Sequence, residues 1–299
     1  MRVAVTGANG FIGRHVMARV AARGDTPVAI ARPFAHDALA VAFRDADVVV
    51  HLAGVVSATD DRVYVDGNVT ATRVVAKAAR DAGVRIVHVS SLAAAGPAPA
   101  SAPHAESDPP SPITTYGRTK LEGELAVKAT RGLHWTVLRP GVVYGPGDRA
   151  LVPLFRMARW GVLPLVGRAD VAYTFVYIDD MVDAIVAAVD RAPADVTCFV
   201  GHPSPVTPRA LVEAVRDATG GRASIVRIPQ TLLRVLAWAG DAAAATGARP
   251  AINSRRFVEL DSVGFVCRVD RLRDDLGVEA KVGLADGLRL AAAWYQSQA

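Results

Sequence analysis

The chain has 299 residues, with 34 Lys and Arg against 29 Asp and Glu for a net charge of +5, and 51% of it is hydrophobic. That composition excludes a disordered chain, and two cysteines, Cys198 and Cys267, exclude a disulfide scaffold or a multi-cysteine zinc site. No run of about 18 apolar residues occurs, and the most apolar segment, Thr231–Gly247, is broken by Arg234 and Asp241, so no membrane span is expected. In chain order, β-branched runs at Arg2–Thr6, Pro27–Ala31, Asp47–His51, Val84–Ser90 and His134–Leu138 predict strands. Helix-length segments lie between them at Phe11–Arg23, His36–Ala46, Asp60–Ala82 and Thr114–Arg131. Such alternation predicts an α/β fold, a doubly wound Rossmann-type parallel sheet, with ligands at the carboxyl ends of the strands. Only fifteen residues separate Ala31 from Asp47, room for one crossover helix. An edge strand of the sheet is therefore expected to be missing.

Further along, Ala93–Pro112 holds six prolines, the mark of a disordered or functional loop. Val176–Ile178 reads as a strand leading into a helix at Asp179–Arg191, and Val196–Val200 as another strand. After residue 200 come helical patterns at Pro208–Thr219, Thr231–Thr246 and Leu284–Gln298 with no strand between them. The expected division is a dinucleotide-binding domain over 1–200, with 141–175 contributing to a substrate site, and a smaller, mainly helical cap over 201–299. Leu232, Leu233, Leu236 and Trp238 in the cap read as core at helical spacing rather than as a lipophilic pocket.

Strand Arg2–Thr6 runs directly into Gly7-Ala8-Asn9-Gly10-Phe11-Ile12-Gly13. Gly7 permits a tight turn, Gly10 lets backbone approach a pyrophosphate, and Gly13 allows helix and strand to pack closely. The pyrophosphate would rest on the free N–H groups of the following helix. No Gly-Lys-Ser/Thr follows, so this is not a triphosphate P-loop. Tyr116 and Lys120 are four residues apart on one predicted helix and share a face. An ammonium beside a tyrosine favours the phenolate and so suits proton exchange with a hydroxyl. His51, His88 and the other histidines show no metal-ligand spacing and read as packing or surface residues; no metal is expected. The basic balance raises nucleic-acid binding, but the arginines are interleaved with acids and only Arg255-Arg256 are adjacent, so none is expected. Met1 leads straight into a strand pattern, which predicts a cytoplasmic protein.

The glycine loop, His51-Leu52-Ala53-Gly54, Asn68 in Gly67-Asn68-Val69, Ser90-Ser91, Tyr116-Gly117-Arg118-Thr119-Lys120, Leu138-Arg139-Pro140-Gly141 and Tyr144-Gly145-Pro146 occur in that order. Together they resemble the extended short-chain dehydrogenase/reductase family, of the epimerase/dehydratase type. The resemblance implies an NAD(P)-dependent enzyme with Tyr116 as general acid/base, Lys120 as its electrostatic partner and holder of the nicotinamide ribose, Ser91 as the substrate-orienting hydroxyl, and Asn68 as support for the catalytic helix. It implies cofactor contacts from Gly7, Asn9, Gly10, Phe11, Ile12, Gly13, Leu52, Ala53, Gly54, Ser90, Pro140, Gly141 and Val143, with Ser90 bonding backbone at its strand end. NAD-preferring members often carry an acid after the second strand; here Ile30-Ala31-Arg32-Pro33 offers Arg32, which can pair with a 2′-phosphate and leans the cofactor from NAD towards NADP. Nucleotide-sugar members tend to carry an arginine before the strand at Val176, where this chain reads Ala172-Tyr173-Thr174-Phe175. The sequence therefore resembles more closely the 3β-hydroxysteroid dehydrogenase-like and dihydroflavonol reductase-like branch. The expected activity is hydride transfer to or from a secondary alcohol or ketone of a moderately apolar small molecule. The alternatives are a nucleotide-sugar 4-epimerase or dehydratase with tightly bound NAD, or a non-catalytic NAD(P)-sensing protein, against which the intact Ser91, Tyr116 and Lys120 weigh. A homodimer through 60–82 and 114–131 is implied as well.

Overall fold

The computed structural model describes residues 1–168, 170–191, 194–245, 254, 257–258 and 261–297. The Arg255-Arg256 pair lies outside them. In chain order, β1 (Arg2–Thr6), α1 (Phe11–Ala22), β2 (Thr26–Ile30), α2 (His36–Phe43) and β3 (Val48–His51) open the fold. Then come α3 (Asp61–Tyr64), a π-helical turn Val65–Thr70, α4 (Ala71–Asp81), β4 (Arg85–Val89), a 3₁₀ turn Leu92–Ala94, α5 (Thr115–Lys128) and β5 (Trp135–Pro140). The remainder runs β6 (Val142–Tyr144), α6 (Val152–Arg159), β7 (Val162–Leu165), β8 (Phe175–Tyr177), α7 (Ile178–Arg191), β9 (Val196–Val200), α8 (Pro208–Ala218), β10 (Ser224–Arg227), α9 (Gln230–Ala245), α10 (Asp270–Leu276) and α11 (Leu284–Ser297).

Six strands form one parallel sheet in the order β2-β1-β3-β4-β5-β9. The single helix α2 carries the chain from β2 across β1 to β3, so β2 is left at the sheet edge and the short crossover adds no strand beyond it. Because strand side chains alternate between faces, Val3, Val5, Val48 and Val50 pack into one core with α1 and α7, while Ala4, Val49 and Ile86 pack into another with α2 and α4. Both faces are covered, which is why the inner strands read as continuous apolar runs. A buried ion pair, Arg139 Nη2 to Glu124 Oε2 at 2.7 Å, ties β5 to the middle of α5.

The structure corrects several expectations. The expected helix over 60–82 is interrupted by the π turn, which widens the helix around Asn68. A Cβ on Gly67 in that turn would strike the Val55 side chain, so the turn lies directly on the chain leaving β3. Of the two expectations for the proline-rich loop, disordered or functional, its contacts leave the second: Ala98 and His104 bridge to Phe265 and Cys267, and Phe199 N–H donates to Glu106 Oε1 at 2.9 Å. Burial pushes the Glu106 carboxyl up from its ordinary range. Strands β6, β7 and β10 were not expected; β6 pairs with β8, and β7 with β10, in two small parallel sheets. After residue 268 the chain returns to the main sheet, where α10 buries Leu272 and Leu276 in the first core. In α9, Leu233 is buried but Leu232, Leu236 and Trp238 are exposed, so most of that apolar stretch is not core.

Candidate active site

The glycine loop joins β1 to α1, and each glycine has its own reason. Gly7 has φ +72°, and a Cβ there would come within 2.8 Å of Ala53 N. A Cβ on Gly13 would collide with the Gly7 carbonyl and Ala8, so it is the loop's own backbone that excludes a side chain there. Gly10 differs: a Cβ would meet only Gly7 O, at 3.1 Å, with open space beyond. Gly10 is also the N-cap of α1; its side supplies no cap bond and the first turn contains no acidic residue. A cradle open at Gly10, with first-turn N–H groups unanswered by any side chain, fits a dinucleotide pyrophosphate. Phe11 and Ile12 are half-buried behind it, and the Asn9 carbonyl accepts a hydrogen bond from Arg14 at 3.3 Å.

The elements that carry the expected reactive groups pack together beyond the end of β4. Thr114 caps α5 by accepting from Gly117 N–H at 3.1 Å, which places Tyr116 in the first turn. A Cβ on Gly117 would strike the Ala93 carbonyl, so the absence of a side chain there lets α5 sit on the 3₁₀ turn that follows Ser91. Ser91 caps that turn, its Oγ accepting from Ala93 N–H at 3.2 Å. The Tyr116 ring lies 6.4 Å from that of Tyr64. One turn further along α5, Lys120 is buried, and its Nζ donates to the Val89 carbonyl at the end of β4, at 2.9 Å. Burial disfavours the ammonium and pulls Lys120 from 10.5 to about 8, despite the opposing field of Glu124.

Asn68 is the keystone of the polar packing. Its Oδ1 accepts from Val55 N–H at 2.7 Å, and its Nδ2 donates to Val55 O at 3.0 Å and Thr119 Oγ1 at 3.1 Å. Thr119 Oγ1 in turn donates to the Tyr116 carbonyl at 3.0 Å. Asn68 thus joins the chain leaving β3 to the turn that carries Tyr116. On its other side, Thr72 Oγ1 donates to the Asn68 carbonyl at 2.7 Å, which leaves that oxygen to accept from His51 Nε2 at 3.0 Å. In a neutral ring His51 Nδ1 then accepts from Thr6 Oγ1 at 2.6 Å, and Thr6 Oγ1 accepts from Ala53 N–H at 3.3 Å. Burial, together with the Lys120 and Arg32 charges, holds the His51 pKa down at about 3 and keeps the ring neutral. His88 stacks on it at 5.2 Å. Thr6, Thr72 and Thr119 were not singled out from the sequence; the position of Thr119 inside Tyr116–Lys120 was the available signal. His51 packs, as expected, but with both nitrogens engaged.

The other expected cofactor contacts occupy the same edge. Leu52 and Ala53 follow β3, with Ala53 against Gly7; a Cβ on Gly54 would lie 3.0 Å from Asn68 Oδ1 and 3.8 Å from Lys120 Nζ. Pro140 ends β5, and Gly141 N–H donates to Val200 O at 3.0 Å; a Cβ there would collide with the Thr174 carbonyl. Val143 sits half-buried in β6. Ser90 differs from expectation. Its N–H donates to Leu138 O at 2.7 Å, but its buried Oγ has no partner among the described residues, and Ser91 makes the side-chain bond to backbone instead. Arg32, just past β2, donates to the Gly67 carbonyl at 3.3 Å and stacks on Phe34 at 5.1 Å. Among the described residues no group of His, Cys, Asp or Glu could hold a metal ion, and no helix is long and apolar enough to cross a membrane.

The parallel sheet, its glycine loop and the Tyr116–Lys120 helix define an NAD(P)-binding enzyme of the short-chain dehydrogenase/reductase type. Residues 3–198 match the NAD dependent epimerase/dehydratase family, and the chain belongs to it. It is similar to the ceramide reductase of Caulobacter vibrioides, at 27% identity over 99% of this chain and 94% of that protein. It is similar also to dTDP-6-deoxy-L-talose 4-dehydrogenase (NAD(P)(+)) of Kitasatospora kifunensis, at 31% identity over 76% of this chain and 82% of that one. Among solved structures, MoeE5 in complex with UDP-glucuronic acid and NAD superposes with a TM-score of 0.80 at 26% identity, covering 100% of both chains. The protein is therefore an NAD(P)-dependent oxidoreductase of the extended group.

Proposed function

We propose that this oxidoreductase acts on a secondary alcohol or ketone of a moderately apolar substrate, with Tyr116 as its acid/base. The observation that carries the substrate class is the segment Ala172–Phe175. The family resemblance puts a diphosphate-binding arginine there in nucleotide-sugar enzymes. Here Thr174 N–H donates to Phe265 O at 2.8 Å, Thr174 Oγ1 accepts from Cys267 N–H at 3.1 Å, and Tyr173 stacks on Phe265 with ring centroids 6.5 Å apart. The segment is committed to packing and contributes no cation. The name of the similar ceramide reductase, a lipid-directed activity, supports the same reading.

In this reading the loop Gly7–Gly13 holds the pyrophosphate, and Ala53, Gly54, Pro140, Gly141 and Val143 border the nicotinamide half. Bound NAD(P) supplies a hydride acceptor or donor. Ser91 orients the substrate oxygen, Tyr116 gives or takes its proton, and Lys120, fixed on Val89, biases the tyrosine towards the phenolate. Asn68 acts as a positioning residue through Thr119. Residues 1–200 would bind the cofactor, while 141–175 and 201–299 would shape the substrate site. The same proposal includes a homodimer through α4 and α5, where Leu125 is 54% exposed.

Arg32 supports NADP over NAD, since it is exposed at the exit of β2 and is held by the Gly67 carbonyl and the Phe34 ring rather than by a carboxylate. Arg32→Ala is expected to weaken NADP binding roughly ten- to a hundredfold and leave NAD nearly unchanged. Equal losses for both cofactors in titration calorimetry would show that Arg32 does not discriminate.

A second reading, a nucleotide-sugar 4-epimerase or dehydratase with tightly bound NAD, is favoured by the talose dehydrogenase and by the UDP-glucuronic acid complex of MoeE5. Its diphosphate would need Arg149 or Arg168, and Arg168 is already paired with Asp170 at 2.5 Å. Calorimetry with UDP and dTDP decides between the readings. Our proposal expects no measurable binding, and micromolar binding lost in Arg149→Ala or Arg168→Ala would establish the epimerase reading.

A further inference from the structure

Two exposed apolar surfaces lie on neighbouring stretches of the chain, and they contain none of the residues assigned above to cofactor binding or proton transfer. In α9, Leu232, Val235 and Leu236 recur at helical spacing and are 46%, 56% and 43% exposed, while the adjoining stripe, Leu233 and Ala237, is buried. Trp238 on the same helix is 65% exposed. The second surface is at the small sheet of β7 and β10, where Trp160 is 79% and Val226 is 46% exposed. Val226 and Leu232 are six residues apart, so the two surfaces lie within about 20 Å of each other.

Arginines outnumber acids around them: Asp241 lies in α9, and Asp261 accepts from Gln230 Nε2 at the start of that helix at 3.4 Å. Residues 156–167 and 218–240 contain five arginines, Arg156, Arg159, Arg222, Arg227 and Arg234, and no Asp or Glu. All five are exposed. Exposed leucine and valine on one side of a helix, tryptophans beside them, and an excess of arginines around them match what a bilayer surface binds. The aliphatic side chains enter the acyl boundary, tryptophan rings settle at headgroup level, and arginines meet anionic phosphates. At 16 residues α9 is about 24 Å long, suited to lying in the interface rather than crossing it.

We propose that this surface, α9 with the β7/β10 corner, docks the enzyme peripherally on an anionic lipid bilayer. The inference does not rest on the substrate proposed above. The test is co-sedimentation of the full chain with phosphatidylcholine vesicles made with and without phosphatidylglycerol. The expected result is binding to the phosphatidylglycerol vesicles at low salt, release at high salt, and a blue shift of tryptophan emission on binding. Leu236→Ser with Trp238→Ser should lower the partition coefficient about tenfold or more. Trp160→Ser, on the other surface, should lower it too, and Arg227→Gln with Arg234→Gln should flatten the salt dependence. No binding above that to pure phosphatidylcholine, or undiminished binding by all of these variants, would overturn the proposal. So would a wild-type oligomer that the α9 variant dissociates without vesicles present, since the surface would then belong to a second copy of the chain.

Discussion

Tyr116→Phe is expected to slow turnover by roughly 10²–10⁴-fold, the usual worth of a positioned acid/base. The substitution removes one oxygen from a half-buried ring beside Tyr64, and the turn that holds it is secured through backbone by Thr114 and Thr119. Packing should therefore survive. Cofactor affinity should survive as well, because the proposed pyrophosphate cradle is the separate loop Gly7–Gly13. Steady-state kinetics beside calorimetric NADPH binding separates the two quantities. Near-wild-type turnover on a working substrate would remove Tyr116 from the proton transfer.

Lys120→Met is expected to cost activity and gain stability. The Lys120 ammonium is buried, and the fall from 10.5 to about 8 corresponds to roughly 3 kcal/mol against the folded state at neutral pH. Methionine removes that cost but leaves the Val89 carbonyl without its donor, a loss of about 1 kcal/mol. A net gain of about 1–2 kcal/mol at pH 7 should appear in urea unfolding of the cofactor-free protein. The sign of the pH dependence follows from the lowered value. Below pH 8 both folded and unfolded chains hold the proton and the cost is fully present. Between 8 and 10.5 only the unfolded chain holds it, so wild-type stability rises with pH and the variant's advantage shrinks. A variant less stable than wild type at pH 7, or an advantage that grows with pH, would mean that Lys120 is not held as a desolvated ammonium.

The main sheet was legible because its inner strands are buried on both faces and rich in Val and Ile, Val48–Val50 without a break, and because each helix between them is a full crossover. The shortened stretch from Ala31 to Asp47 was legible for the same reason, since a count of residues limits what can fit. The π turn was not. Asp60–Ala82 is helical in period throughout, and the widening depends on tertiary contacts of Gly67 with Val55 and of Asn68 with Thr119 that periodicity does not encode. Strands β7 and β10 have four residues each, one containing Pro164, and pair with each other across about sixty residues of sequence, so neither carries a local signature. The α9 leucines were read as core because their spacing is helical. Leu232 and Leu236 form one stripe and Leu233 and Ala237 the next, and a helix apolar on both does not reveal which one is covered. Within the site, the motif residues were visible as types at fixed spacing. The threonines that connect them, Thr6, Thr72 and Thr119, are common residues whose roles exist only once β1, α4 and α5 converge.

Net hydride transfer to an apolar ketone is read out by label transfer from nicotinamide cofactor carrying deuterium at its reactive carbon. With a long-chain or sterol-like ketone, the account predicts one deuterium on the new carbinol carbon for each cofactor oxidised, with no turnover of UDP-sugars or dTDP-sugars. Inversion of a nucleotide sugar with no net cofactor consumption, and no label in any apolar ketone offered, would contradict it.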